Sequence, residues 1–179
     1  MKTKFLIFFS LISTFGFSQN LTINSGATLT ISKDGKLTVS GSLTNSGDLY
    51  IEQDADESGS LIAKSASTPT ITLKKYLVGS QWTLIGIPVT GEVVNDIDDN
   101  LATYSGRSAI GYWDNDKAGG AGWVTFNTGS TLTTELVPTR GYEIMRSSSG
   151  TVSFTGTMLN SDQTQGITTE TGTNGNWNL

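Results

Sequence analysis

Leu21-Thr22-Ile23, Leu29-Thr30-Ile31, Leu37-Thr38-Val39, Leu43-Thr44-Asn45 and Leu49-Tyr50-Ile51 recur as apolar–polar triplets separated by Gly, Asn and Ser. Most follow a glycine by two residues, as Leu37 follows Gly35. The glycines Gly26, Gly35, Gly41, Gly47 and Gly59 are spaced by multiples of three. Triplets this short, closed by turn residues, read as very short strands. A near-fixed small period predicts stacked rungs of a short β-solenoid or β-roll over 19–64, each burying its Leu and Ile against the next. An ordinary β-meander is the competing arrangement.

After the repeat, Ser65-Ala66-Ser67-Thr68-Pro69 reads as a linker over 65–70. The remainder, 71–179, alternates in longer strands and is expected to form a β-sandwich-like module. Within it, Gln81-Trp82-Thr83-Leu84-Ile85-Gly86-Ile87-Pro88 reads as a core strand with Trp82 inside. Ala109–Trp113 and Trp123–Phe126 read as a hairpin across the loop that holds Gly119-Gly120-Ala121-Gly122. Pro138-Thr139-Arg140-Gly141 is a turn, and Gly150–Gly156 is an alternating strand with Val152 and Phe154 on one face. Trp177-Asn178-Leu179 repeats the opening of Trp82-Thr83-Leu84, with Trp177 also expected in a core. A second copy that breaks off so early predicts a truncated module, the leading part of a longer protein.

Composition narrows the function. Lys2 and Lys4, the apolar run Phe5–Phe9 with Leu11 and Ile12, and the small residues Gly16 and Ser18 follow one another in the order of a secretory signal over 1–18, cleaved between Ser18 and Gln19. No later apolar run is long enough to predict a transmembrane segment. The formal net charge is −5, and loss of Lys2 and Lys4 makes the exported chain more acidic still. Phosphate backbones are bound by clustered Lys and Arg, so no nucleic-acid partner is expected. There is no Cys, so disulfides, thiolate metal sites and lipidation at a cysteine are excluded. An exported β-rich chain without disulfides favours a bacterial source.

There is no His either, which removes Ser-His-Asp and Cys-His nucleophiles and all imidazole metal sites. A carboxylate pair could still hydrolyse a glycoside. No such pair stands in a recognisable motif, and no enzymatic activity is expected. The ligand-binding candidates are Tyr112, Trp113, Trp123 and Tyr142, whose rings could stack on sugars. Asp114, Asn115 and Asp116 could hold a calcium ion, the one cofactor considered. The acidic runs Asp54-Ala55-Asp56-Glu57 and Asn95–Asn100 read as solvated loops.

The order of the motifs resembles large secreted proteins of Bacteroidetes, particularly flavobacteria, of the kind that carries a C-terminal sorting domain for the type IX secretion system. The matching segments are the signal, the Gly-x-Leu repeat, Lys74-Lys75-Tyr76 and Trp82-Thr83-Leu84-Ile85-Gly86-Ile87-Pro88-Val89. Then follow Tyr112-Trp113-Asp114 with Trp123, Arg140-Gly141-Tyr142 and Thr151–Thr157. The sequence given contains no sorting domain. The resemblance implies an exported protein, released or on the outer face of a Gram-negative cell, with a modular β-rich stalk or adhesion region. Extracellular polysaccharide or surface components would be its partners. A carbohydrate-binding module of a larger secreted enzyme is the alternative.

Overall fold

Each leucine-led triplet forms a strand. In chain order the strands of this region are β1 (Phe17–Ser18), β2 (Leu21–Ile23), β3 (Thr28–Ile31), β4 (Lys36–Val39), β5 (Leu43–Asn45), β6 (Asp48–Ile51) and β7 (Ser60–Ala63). The computed structural model describes residues 17–18, 20–65, 67–98, 100–115, 122–128, 133–164 and 166. Within them the chain is all-β, with several sheets, a half-barrel and almost no helix. The leader before Phe17, Gln19, the stretch 116–121 and the Trp177 motif lie outside the described residues.

Consecutive triplets do not pair with each other. Pairing is parallel and joins every third strand: β1 to β4 to β7, β2 to β5, and β3 to β6. Partners lie 20 to 24 positions apart, from Thr28 opposite Asp48 to Asn20 holding Ser42 and Ser67 holding Leu43. Like residues therefore stack: Leu21 on Leu43, Leu29 on Leu49, Leu37 on Leu61, Ile31 on Ile51. The first and third residues of a triplet share a face of the strand. That face supplies Ile23, Ile31, Val39, Leu43, Leu49 and Ile51 to the core. The corners are tied as well, with Ser46 N–H to the Ile23 carbonyl (2.8 Å), Asp48 to Ala27 (2.9 Å) and Lys64 to Val39 (2.9 Å).

The segment expected as a linker is built into this stack. Ser67 Oγ accepts the Leu43 N–H (2.8 Å), and the Asn45 side chain donates to the Thr70 carbonyl (2.6 Å). Ser67 and Thr70 thus lie beside β5, where the neighbouring columns place a third strand. Strand β8 (Thr70–Leu77) follows and serves both regions. It continues the parallel column through Tyr50 opposite Thr72 and Ile51 opposite Leu73. Its other edge pairs antiparallel along its whole length with β15 (Gly150–Met158). One core of buried residues runs from Ile23 to Phe154 across this shared strand.

Between β8 and β15 the chain makes β9 (Thr83–Gly86), β10 (Val89–Thr90), helix α1 (Val94–Asp98), β11 (Thr103–Tyr104), β12 (Arg107–Asp114), β13 (Gly122–Asn127) and β14 (Gly141–Ile144). β10 borders β15 in the first sheet, while β11, β12, β14 and β9 form a second antiparallel sheet with β13 beside β12. The Tyr104–Arg107 turn holds Ser105 (φ 49°) and Gly106 (φ 72°). Two positive-φ residues between paired Tyr104 and Arg107 match the type I′ pattern suited to the twist of a tight hairpin.

The Gln81–Pro88 expectation is corrected in part. β9 is an edge strand that pairs only with β14 among the described strands. One face is buried through Ile85, but Trp82 is 55% and Leu84 57% exposed. An edge strand with one covered face leaves the alternate side chains in solvent, and hydrophobicity alone does not say which strand is the edge.

Candidate functional site

The β12–β13 hairpin sorts its aromatics onto two faces. Register places Trp113 opposite Trp123 and Tyr112 opposite Val124. Neighbours along a strand point to opposite sides, so the tryptophans share one face and Tyr112 takes the other. The two indoles meet edge-to-face, with centroids 5.7 Å apart and planes at 83°. This geometry sets the positive ring edge against the negative face of its partner. Trp113 Nε1 donates to Asn115 Oδ1 (2.8 Å), and Trp123 remains 37% exposed. Arg107 Nη1 donates to Thr125 Oγ1 (3.1 Å), and Thr125 shares a strand face with Trp123.

Tyr112 faces the interior. Its ring lies 6.3 Å from Phe126 and 5.9 Å from Tyr142, the latter edge-on at 74°. The Arg140 guanidinium lies 4.0 Å from the Tyr112 ring centroid, at cation–π distance. Tyr142 is 1% exposed, and its hydroxyl accepts the Val137 N–H (2.9 Å). Burial pushes its phenol pKa up, against the opposing effect of that hydrogen bond. Tyr142 therefore belongs to the core and has no face for a sugar, which corrects its place among the binding candidates. Of the four rings proposed from sequence, the structure brings Trp113 and Trp123 together near the surface and turns Tyr112 and Tyr142 inward.

Of the three calcium candidates, Asp114 and Asn115 fall among the described residues. Asp114 ends β12 opposite Gly122. Asn115 is buried, with its side-chain oxygen on the Trp113 indole. Asp116 lies outside the described residues, which include no group of three or more acidic ligands placed to hold a metal. Ser18 sits in β1 opposite Val39, and Gln19 is outside the description.

The first acidic run has a structural role. Asp54 Oδ1 accepts the backbone N–H groups of Asp56 (3.0 Å) and Glu57 (2.9 Å), and its other oxygen meets the Lys33 ammonium. The lysine hydrogen bond, then the two backbone donors, bring the Asp54 pKa down to about 2.

Two features were missed from sequence. Arg140 reads from sequence as a turn residue, and only the pairing of β12 with β14, which Arg140 precedes, brings it to the Tyr112 ring. Glu92 was not singled out, yet it is 1% exposed. Burial raises its pKa to about 7 despite the Thr155 N–H that its carboxylate accepts. Gly91, with φ of 84°, was the available signal that the chain turns inward there.

Compared with known proteins, the chain matches no family model, no curated protein and no solved structure.

Proposed function

We propose that the chain is an exported structural or adhesion-type module of a bacterial cell surface, without catalytic activity. Its repeat would be a short β-solenoid spacer, and the second part a sandwich-like head. The observation that carries this reading is the threefold column pairing with like residues stacked on one another. Stacked units of this kind grow along one axis and suit display at a distance from a membrane. The shared strand β8 would make spacer and head a single stiff unit. The signal-like leader and the resemblance to sorted flavobacterial proteins support the outer surface as its place. Weak contacts made by many copies would add up through multivalency.

The test is protease shaving of intact native cells followed by mass spectrometry, with attachment assays on a deletion strain. Release of peptides from 20–164 and reduced attachment support the proposal. Protection of the protein in unbroken cells, with release only after lysis, rejects it.

A second reading, a carbohydrate-binding module of a larger secreted enzyme, is favoured by the Trp113–Trp123 pair. A partly exposed indole fixed by an edge-on neighbour is a suitable sugar platform. A glycan array with the unmodified chain and Trp123→Ala distinguishes the readings. Binding lost in the variant supports the module; absence of binding across polysaccharide classes favours the structural role.

A further inference from the structure

Strands β8 and β9 follow one another in the chain but do not pair. β8 pairs with β6 and β15, and β9 with β14. Between them lies a cleft of about 300 Å³, with Leu73, Lys75 and Phe154 on one side and Leu84, Ile85 and Pro88 on the other. Leu84 and Ile85 are consecutive, so their side chains point to opposite faces of β9. For both to line the cleft, it must run along the strand's edge. That edge has no strand partner among the described residues.

Natural edges of this kind are usually blunted with charge, bulges or proline. Gln81–Pro88 has no charged residue, and only its end carries a proline. The charge stands across the cleft. Lys75 pairs in register with fully buried Val152, which sets it on the inner face of β8. It has no hydrogen bond or ion pair among the described residues, whereas outward-facing Lys74 bonds Glu52 at 2.9 Å. An ammonium with no partner among mostly apolar side chains calls for a carboxylate.

The geometry points to a strand-binding cleft for an extended segment of another polypeptide that carries an acidic residue among apolar ones. Its backbone pairs with the edge of β9 that has no strand partner among the described residues, its apolar side chains lie against Leu73 and Phe154, and its carboxylate meets Lys75. Such a strand also covers exposed Leu84. A second copy docking through β9 itself does not satisfy the site, because Gln81–Pro88 contains no acid to meet Lys75. The unpaired backbone edge favours a peptide over a small anion.

The full chain is titrated with an acetylated, amidated peptide of alternating valine and threonine with one central glutamate. The same peptide with lysine at that place is the control. Amide shifts and hydrogen exchange of Thr83–Gly86 are read by NMR. The glutamate peptide should bind saturably, protect those amides and bind about fivefold tighter than the lysine peptide, as one partly exposed ion pair allows. Lys75→Glu should reverse the preference. The inference is overturned by no saturable binding at millimolar peptide, by equal affinity for both peptides, or by a preference that Lys75→Glu leaves unchanged. It is equally overturned if hexanoate binds as tightly as the peptide, or if self-association protects the same amides.

Discussion

The Thr155 N–H donates to the Glu92 carboxylate where β10 turns out of the sheet at Gly91. Thr90 is the last β10 residue paired with β15, opposite Thr157. Beyond it, the carboxylate takes the place of a strand neighbour for the β15 edge. The cost is a buried acid. Desolvation raises its pKa from 4.5 to about 7, and Asp96 pushes in the same direction. Glu135 is also close, bonding the Gly91 N–H (3.0 Å). The native state therefore holds the proton more tightly than the unfolded chain. The stabilisation is complete below about pH 4.5 and lost as pH rises through about 7. Urea unfolding at pH 5 and pH 8 should show a loss of about 2.5 kcal/mol, with no histidine to confuse that window. Glu92→Gln should flatten the dependence; an unchanged slope would refute the assignment.

Close stacking of the repeat predicts intolerance at Gly47. A Cβ there would stand 2.2 Å from the Ala27 carbonyl oxygen and 2.5 Å from that of Asn24. Both are backbone atoms and cannot swing aside. Gly47→Ala should cost about 1–3 kcal/mol, and Gly86→Ala, which meets open space, less than about 0.5. Equal denaturation midpoints for the two variants would contradict this packing.

Core and surface rings should separate cleanly. Tyr142→Phe removes the acceptor of the Val137 N–H and should lower stability by about 1–2 kcal/mol without affecting any glycan bound. If the carbohydrate-binding reading holds, Trp123→Ala should abolish glycan binding. Thermal denaturation alongside glycan titration checks both.

Trp82→Ser should cost less than about 1 kcal/mol, because the ring is largely in solvent. A loss of the 3–5 kcal/mol typical of a buried tryptophan would restore the core position expected from sequence.

The sequence by itself determined the all-β class and the triplets. Turn-bounded Leu-Thr-Ile units offer no helical face, and their first and third residues must share a side. It also determined what chemistry is absent, since no His or Cys exists to supply it. It did not determine that each triplet pairs with the third one along. A short period looks alike whether neighbours stack or successive strands occupy different sheets, and only long-range hydrogen bonds such as Lys64 to Val39 decide. The same holds for 65–70, whose Ser and Thr suggest a loose linker until Ser67 is seen on Leu43. Trp82 and Tyr142 make the point for the candidate site. Both are large aromatics in apolar strands, but one strand lies at a sheet edge and the other between two partners. Which face of the sheet is covered, a property of the whole fold, put one ring in water and the other in the core: Tyr142 pairs with buried Ile85, and Trp82 alternates to the other face with exposed Leu84.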